Sequence, residues 1–99
     1  MGVELFYFEG CPSWKVADER LTEALRTAGC DDVRVERRLV ESPVQAEDLK
    51  FIGSPTIRID GTDPFASGDE AVGLMCRLYE TQTGQSGSPT VGQLLEVLS

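Results

Sequence analysis

One cysteine stands out as a candidate for chemistry. Cys11 lies where a strand-like run ends and a helix-like run begins, in the stretch FEGCPSWKVADE. The chain contains no histidine, which excludes hydrolases that use a Ser-His or Cys-His pair. Its three cysteines are far apart and match neither a disulfide framework nor a zinc signature. Any nucleophilic chemistry must therefore use a thiolate that its surroundings stabilise.

The position of Cys11 supplies such surroundings. Sites in open α/β sheets gather at the carboxyl ends of strands. A helix that begins just after the cysteine offers free N–H groups and a partial positive charge, and both lower the pKa of a thiol. The alternative is a small buried apolar side chain. Gly10 and Pro12 predict a turn that exposes the sulfur, and we therefore favour a reactive thiol.

The residues after Cys11 depart from a redox dithiol motif. The position of a second cysteine in C-x-x-C holds Trp14, so exchange within the motif is excluded. Trp14 could pack into the core or cover a thiol pocket. Ser13 could donate a hydrogen bond to the thiolate, or it could simply be a favourable residue in the first turn of the helix. Pro12 suits the first helical position, where its missing N–H costs nothing.

The other two cysteines are weaker candidates. Cys76 is the only plausible internal partner for Cys11, but it alternates with Leu74 and Leu78, which favours a buried, unreactive side chain in a strand. Cys30 follows the C-terminus of the first predicted helix, so we expect it at the opposite end of the molecule.

Composition indicates one domain, residues 1–99, with a net charge of −8 from nine basic and seventeen acidic residues. This balance disfavours nucleic acid and anionic lipid as partners. The one basic cluster, at Arg34, Arg37 and Arg38, predicts a solvated strand edge. Neither a membrane span nor a signal peptide is predicted, so we expect a cytoplasmic protein.

Hydrophobic periodicity predicts an α/β fold in the order β-α-β-α-β-β-α, with a four-stranded mixed sheet flanked by helices. The first two strands and their crossover helix form a right-handed parallel unit. The last two strands can pair as an antiparallel hairpin, although residues 61–72 make a long connection between them. The predicted strands cover 3–8, 33–40, 56–60 and 73–79, and the predicted helices cover 12–28, 42–50 and 90–98.

The segment Gly53-Ser54-Pro55-Thr56 precedes the third predicted strand. A proline there ends the preceding helix, and the local sequence alone favours a trans peptide bond. The next segment, from Asp60 to Phe65, contains a strong Asp-Gly turn signal and two carboxylates. A calcium loop would need more oxygen ligands at fixed spacing, so we predict a plain turn.

Taken together, a strand, a Cys-Pro helix start, a second strand, a helix and an SPT strand entry resemble the thioredoxin-like superfamily. The resemblance implies that Pro55 is cis and close to Cys11. It also implies that the cis-proline loop, with Ser54, Pro55 and Thr56, helps to bind a partner. We expect Pro12 and Trp14, on either side of Ser13, to belong to the same binding site. More narrowly, YFEGCPSW, GSPTIRIDGTDPF and GLMCRLY resemble short bacterial thioredoxin-like proteins, some of which are labelled alkylmercury lyase.

We therefore expect a monothiol oxidoreductase without cofactor or metal ion. Cys11 would attack a disulfide or sulfenate, Ser13 would assist, and an external thiol would resolve the mixed disulfide. Its partner would be a thiol- or disulfide-bearing protein or a small thiol. Two alternatives stay open: soft-metal or organomercurial binding, with Cys76 as a possible second thiol, and a non-catalytic binding module.

Overall fold

The computed structural model describes residues 1–30 and 32–98 and contains both helices and strands. Pairing in the sheet and burial of apolar stripes determine where each element begins and ends. The elements in chain order are β1 (Val3–Tyr7), α1 (Ser13–Thr27), β2 (Val35–Leu39), α2 (Pro43–Leu49), β3 (Thr56–Ile59), β4 (Tyr79–Thr81), β5 (Gly84–Ser86) and α3 (Val91–Leu98).

The main sheet has three strands in the order β2-β1-β3. The central strand β1 is parallel to β2 and antiparallel to β3. The register places Phe6, near the carboxyl end of β1, opposite Thr56 at the start of β3. The loop that leads into β3 therefore lies at the same end of the strands as the residues that follow β1.

The prediction of a four-stranded sheet is wrong for this part of the chain. Residues 73–78 do not form a strand, and Tyr79 begins β4, which pairs with β5 in a separate antiparallel hairpin. The long connection after β3 explains this difference. It carries the chain back to the start of β3, where Cys76 makes a single parallel bridge to Ser54 rather than an antiparallel ladder.

Side-chain caps define the starts of α2 and α3. At α2, Ser42 Oγ accepts a hydrogen bond from Gln45 N at 3.2 Å, Gln45 Oε1 accepts one from Glu41 N at 2.6 Å, and Pro43 is the first helical residue. At α3, Thr90 and Gln93 form a capping box, in which each backbone N–H donates to the other side chain at 2.9 and 3.1 Å. These caps satisfy N–H groups that a helix start otherwise leaves unpaired.

Apolar side chains cover both faces of the sheet. Helices α1 and α3 pack on one face against Leu5 and Ile57, and α2 packs on the other face with Phe6 and Phe51. The buried residues of α1 are Ala17, Leu21, Ala24 and Leu25, which recur at three- and four-residue spacing and form one apolar stripe. None of the helices in the described part of the chain is long and apolar enough to cross a membrane.

Candidate functional site: the Cys11–Cys76 pair

Cys11 is held in a tight turn between β1 and α1. Its backbone N–H donates to the Phe8 carbonyl at 3.0 Å, and Ser13 begins the helix two residues later. Pro12 is the N-cap residue and not the first helical residue, so the helix begins one residue later than predicted. The Cys11 side chain is completely buried, contrary to the exposed sulfur that Gly10 and Pro12 suggest. Its place at the start of α1 still gives it the free N–H groups that stabilise a thiolate.

Cys11 forms a disulfide with Cys76, and the two Cα atoms are 5.7 Å apart. Cys76 is exposed, so the prediction of a buried, unreactive cysteine in a strand is wrong. The alternation that suggested burial belongs to a segment that is not a strand. Because the chain returns to the start of β3, Cys76 lies at the end of the sheet where Cys11 precedes α1. The pair thus joins one buried and one exposed residue.

Ser54 connects the two cysteine segments. Its backbone N–H donates to Met75 O at 2.8 Å, and its carbonyl accepts from Arg77 N at 3.0 Å. Its hydroxyl accepts a hydrogen bond from Phe8 N at 3.0 Å. The same residue therefore fixes the residues on either side of Cys76 and the end of the strand that leads to Cys11.

The peptide bond between Ser54 and Pro55 is cis, as the resemblance implies and contrary to the expectation from local sequence. Ser54, Pro55 and Thr56 are all buried beside the disulfide. The Thr56 hydroxyl donates to Gly53 O at 2.6 Å. These three residues are close to the predicted site, but in this oxidised state they support the Cys76 segment rather than offering an open surface.

Trp14 packs rather than forming a free lid. Its ring stacks on Tyr7 with centroids 4.2 Å apart, and it contacts the core cluster beneath α1. The Ser13 side chain lies against Gly87, where an added Cβ would overlap its oxygen. The hydrogen bonds of the described residues include none between Ser13 and Cys11. Pro12 is exposed beside the buried cysteine.

Sequence reasoning missed a buried ion pair that anchors the Cys76 segment. Arg77 Nη1 lies 2.6 Å from Asp63 Oδ2, and both side chains are almost fully buried, with 6% and 9% exposed. The guanidinium also lies over the Tyr79 ring, 4.5 Å from its centroid, and donates to Thr56 Oγ1 at 3.4 Å. No periodicity marks Arg77 as buried, because its surroundings come from the loop after β3.

Tyr79 completes this anchor. Its hydroxyl donates to the carbonyl of Pro55 at 2.5 Å. Burial raises the pKa of the Tyr79 phenol well above its usual range, so the group stays protonated and remains a donor. Arg77 and Tyr79 therefore attach the residues after Cys76 to the cis-proline loop by side chains, in addition to the backbone bonds of Ser54.

Cys30 lies outside this site, as predicted. It is a free, partly buried thiol past the far end of α1. A 15-residue helix is about 22 Å long, so Cys30 is far from Cys11.

The basic cluster at Arg34, Arg37 and Arg38 is a solvated strand edge, also as predicted. Arg37 pairs with Asp18 at 3.0 Å and Arg38 pairs with Glu4 at 2.7 Å, with about half of each arginine side chain exposed.

A groove of about 510 Å³ opens beside the exposed end of the disulfide. We call it the Cys76 groove. Its lining includes Ile52, Phe65, Glu70, Cys76, Leu78 and Glu80. It is therefore mostly apolar, with carboxylates among the lining residues and Cys76 in its wall.

Glu70 in this groove closes a turn of the chain. Its carboxylate accepts hydrogen bonds from Ser67 N at 2.8 Å and Gly68 N at 3.0 Å. The bond from the Ser67 backbone is the main cause that lowers the pKa of Glu70 from its usual 4.5 to about 2. The folded protein holds this carboxylate ionised more firmly than the unfolded chain does. The bond therefore stabilises the fold above about pH 4.5 and is lost as pH falls to about 2.

We expect Glu70→Gln to lower the melting temperature at pH 7 without unfolding the protein. The difference from wild type should shrink below about pH 4.5 and disappear below about pH 2, because wild-type Glu70 is then protonated in the folded protein as well. Thermal melts at a series of pH values measure this convergence. Glu47→Gln on α2 controls for the loss of one negative charge. A difference that stays constant down to pH 2 would contradict the role of the carboxylate.

The described residues contain no group of three or more His, Cys, Asp or Glu side chains arranged to hold a metal ion. The two carboxylates after β3 are used differently from one another. Asp60 Oδ1 accepts a hydrogen bond from Gly2 N, and Asp63 pairs with Arg77.

Comparison with known proteins gives no match to a protein-family model, to a curated protein or to a solved structure.

Proposed function

We propose that this protein is a thiol–disulfide oxidoreductase of thioredoxin-like fold, with Cys11 and Cys76 as its redox pair. One observation carries the proposal: a disulfide joins a cysteine at a helix N-terminus to an exposed cysteine beside a cis-proline loop. This changes the expected monothiol scheme, because Cys76 gives Cys11 an internal partner. We also propose a cytoplasmic location, and in that compartment a disulfide would be a catalytic or redox-sensing pair rather than a structural cross-link.

The fold assignment has support from the parallel β1-α1-β2 unit, the antiparallel β3 and the position of Pro55. The departure from the resemblance is at the fourth strand. Here the residues before β4 lie across the start of β3, and β4 joins a separate hairpin. This departure is what brings Cys76 to Cys11, so it is part of the proposed site.

The proposed reaction begins at the exposed residue. A thiolate of the partner attacks Cys76 Sγ, because Cys11 has no exposed surface. A bond forms between the partner sulfur and Cys76, and the Cys11–Cys76 bond breaks. The electron pair goes to Cys11, which leaves as a thiolate that the start of α1 stabilises. A leaving thiol of lower pKa leaves faster, so this direction of attack is also the favoured one.

The second step completes the exchange. A second thiolate of the partner attacks the partner sulfur of the mixed disulfide. A disulfide forms within the partner, and Cys76 leaves as a thiolate that takes a proton from water. The sum is oxidation of two partner thiols to a disulfide and reduction of the Cys11–Cys76 pair. In the reverse direction, Cys76 attacks a substrate disulfide, and Cys11 then attacks Cys76 to release the reduced product.

Catalysed exchange between dithiothreitol and a disulfide-bearing protein substrate tests the proposal. We expect Cys11→Ala and Cys76→Ala each to abolish turnover, because either change removes the pair. Cys30→Ala is the matched control and should retain wild-type activity, since its thiol lies outside the site. Equal activity of all three variants would overturn the proposed function.

Soft-metal binding remains a second candidate, because reduction of the disulfide leaves two thiols side by side. Two thiolates suit the linear coordination of Hg(II). Titration of the reduced protein with Hg(II) tests this: Cys76→Ser should lose tight binding while Cys30→Ser keeps it. Unchanged affinity in Cys76→Ser would exclude this candidate.

A further inference from the structure

We infer that the Cys76 groove binds the partner as an extended polypeptide that carries apolar and basic residues next to its cysteine. The inference rests on the proposed function and names its substrate class. It begins from access to the disulfide. Because Cys11 is buried, a partner reaches the bond only from the side of Cys76, and the groove forms that side.

Large apolar side chains are exposed in the groove on both sides of Cys76. Met75 and Leu78 line it, with 38% and 62% of their surface exposed. Ile52 and Phe65 extend this surface into the groove. Clustered apolar exposure of this kind marks a binding surface, whereas single exposed apolar residues do not.

Carboxylates give the Cys76 groove a negative charge. Glu70 and Glu80 line the groove, and Arg77 is the only cation among its lining residues within the described part of the chain. The Arg77 guanidinium is paired with Asp63 and does not offset these carboxylates. The whole chain carries a net charge of −8. A partner with lysine or arginine beside its cysteine is therefore attracted, and an acidic one is repelled.

The edge of the cis-proline loop is the alternative surface for a partner. A partner segment could pair there only with free backbone groups. Both backbone groups of Ser54 are already bonded, to Met75 and Arg77. An added Cβ at Gly53 would lie 2.9 Å from Arg77 Cβ, so the Cys76 segment is packed closely against this loop. While the disulfide is intact, the partner must use the outer side of the segment, which is the groove.

Small anionic thiols fit this surface poorly. A tripeptide thiol such as glutathione has no large apolar side chain for the groove and carries a net negative charge. The inference therefore predicts that a cationic, apolar cysteine peptide reduces the disulfide faster than glutathione does, at equal thiolate concentration. Electrostatic steering of this kind changes association rates by factors of about 10 to 10³.

The test uses the oxidised wild-type protein and three short cysteine peptides. The first carries leucine and lysine beside the cysteine, the second has glutamate in place of lysine, and the third has serine in place of leucine. Acid quenching, alkylation and mass spectrometry give the rate of reduction. We expect the first peptide to react at least about tenfold faster than the second, and this advantage to fall as salt is added. The third should be slower than the first.

Matched variants place the effect in the groove. Leu78→Ser and Glu80→Gln should each slow the first peptide severalfold. The controls are Val44→Ser and Glu47→Gln, which change an exposed apolar and an exposed acidic residue on α2 and should react like wild type. The reacting thiolate of dithiothreitol has neither an apolar side chain nor a positive charge, so Leu78→Ser and Glu80→Gln should not slow it as they slow the first peptide, and the α2 controls should react with it like wild type.

The outcomes separate the two proposals. Equal rates for the three peptides, with normal reduction by dithiothreitol, would overturn the groove assignment and leave the proposed function standing. Slowing by the α2 controls as well would also overturn it. A disulfide that neither dithiothreitol nor any peptide reduces in the folded protein would overturn the proposed function itself.

Discussion

Replacing Cys76 by alanine is expected to lower the free energy of unfolding of the oxidised protein by about 4 kcal/mol. The disulfide joins residues that are 65 positions apart, so it closes a long loop in the unfolded chain. Losing that constraint raises the entropy of the unfolded state. Urea unfolding followed by tryptophan fluorescence measures the loss.

Two comparisons make this prediction specific to the cross-link. Adding dithiothreitol to wild type should lower its stability by the same amount and should not affect Cys76→Ala. Cys30→Ala should remain near wild type, because Cys30 is a free thiol. Wild type that unfolds at the same urea concentration with and without reductant would show that the disulfide does not form.

The same cross-link places a demand on the reduced protein. An oxidoreductase must stay folded in both redox states, so other contacts must hold the Cys76 segment when the disulfide is open. The structure supplies such contacts in the Ser54 backbone bonds and the Arg77–Asp63 pair. We therefore expect the reduced protein to be less stable but still folded, with Cys76 still near Cys11.

Much of the fold follows from local signals in the sequence. The bounds of the three helices and the parallel pairing of β1 with β2 depend on residues close in sequence or on the handedness of a crossover. The predicted bounds of these helices and strands lie within two residues of the observed ones. The position of Cys11 at the start of a helix belongs to the same class, because Gly10 and Pro12 mark that boundary.

The pairing of the two cysteines could not be predicted in the same way. Cys76 alternates with apolar residues, so period-two burial was the natural interpretation. What places it instead is the path of the loop after β3, which depends on long-range contacts. The buried pair between Arg77 and Asp63 draws the loop inward, and two charged residues give no apolar signal. A hydrophobic pattern therefore identified the wrong face for Cys76 and could not identify Arg77 at all.

The cis bond at Pro55 also could not be predicted from the local sequence. Local sequence favours trans, and only the resemblance of several motifs together pointed to cis. In the structure, Pro55 is buried and its carbonyl accepts the Tyr79 hydroxyl, while Ser54 bonds to both neighbours of Cys76. These partners come from residues about 20 positions later in the chain. The bond geometry thus belongs to the same long-range assembly as the disulfide.

Arg77→Ala is expected to cost about 3–5 kcal/mol of stability, because it leaves the buried Asp63 carboxylate without its partner. Asp63→Asn should be destabilising for the converse reason, since it leaves the buried guanidinium unpaired. The double variant Arg77→Met, Asp63→Leu should recover much of this loss, because it removes both charges together. Urea unfolding of wild type, Arg77→Met, Asp63→Leu and the double variant forms a cycle that isolates the pair. Strictly additive losses would contradict an interaction between them.

A second measurement separates positioning of Cys76 from stability alone. Arg77 is the residue after Cys76 and attaches it to the cis-proline loop, so its loss should lower the effective concentration of Cys76 at Cys11. We expect the equilibrium between reduced and oxidised Arg77→Met, Asp63→Leu, measured against a glutathione buffer, to shift severalfold toward the reduced form. Leu98→Ala is the control, because it removes buried contacts of α3 far along the chain from either cysteine. An equal shift in both folded proteins would mean that the disulfide depends on overall stability. A shift confined to the Arg77 variant assigns the buried ion pair the role of holding the exposed cysteine where the buried one can reach it.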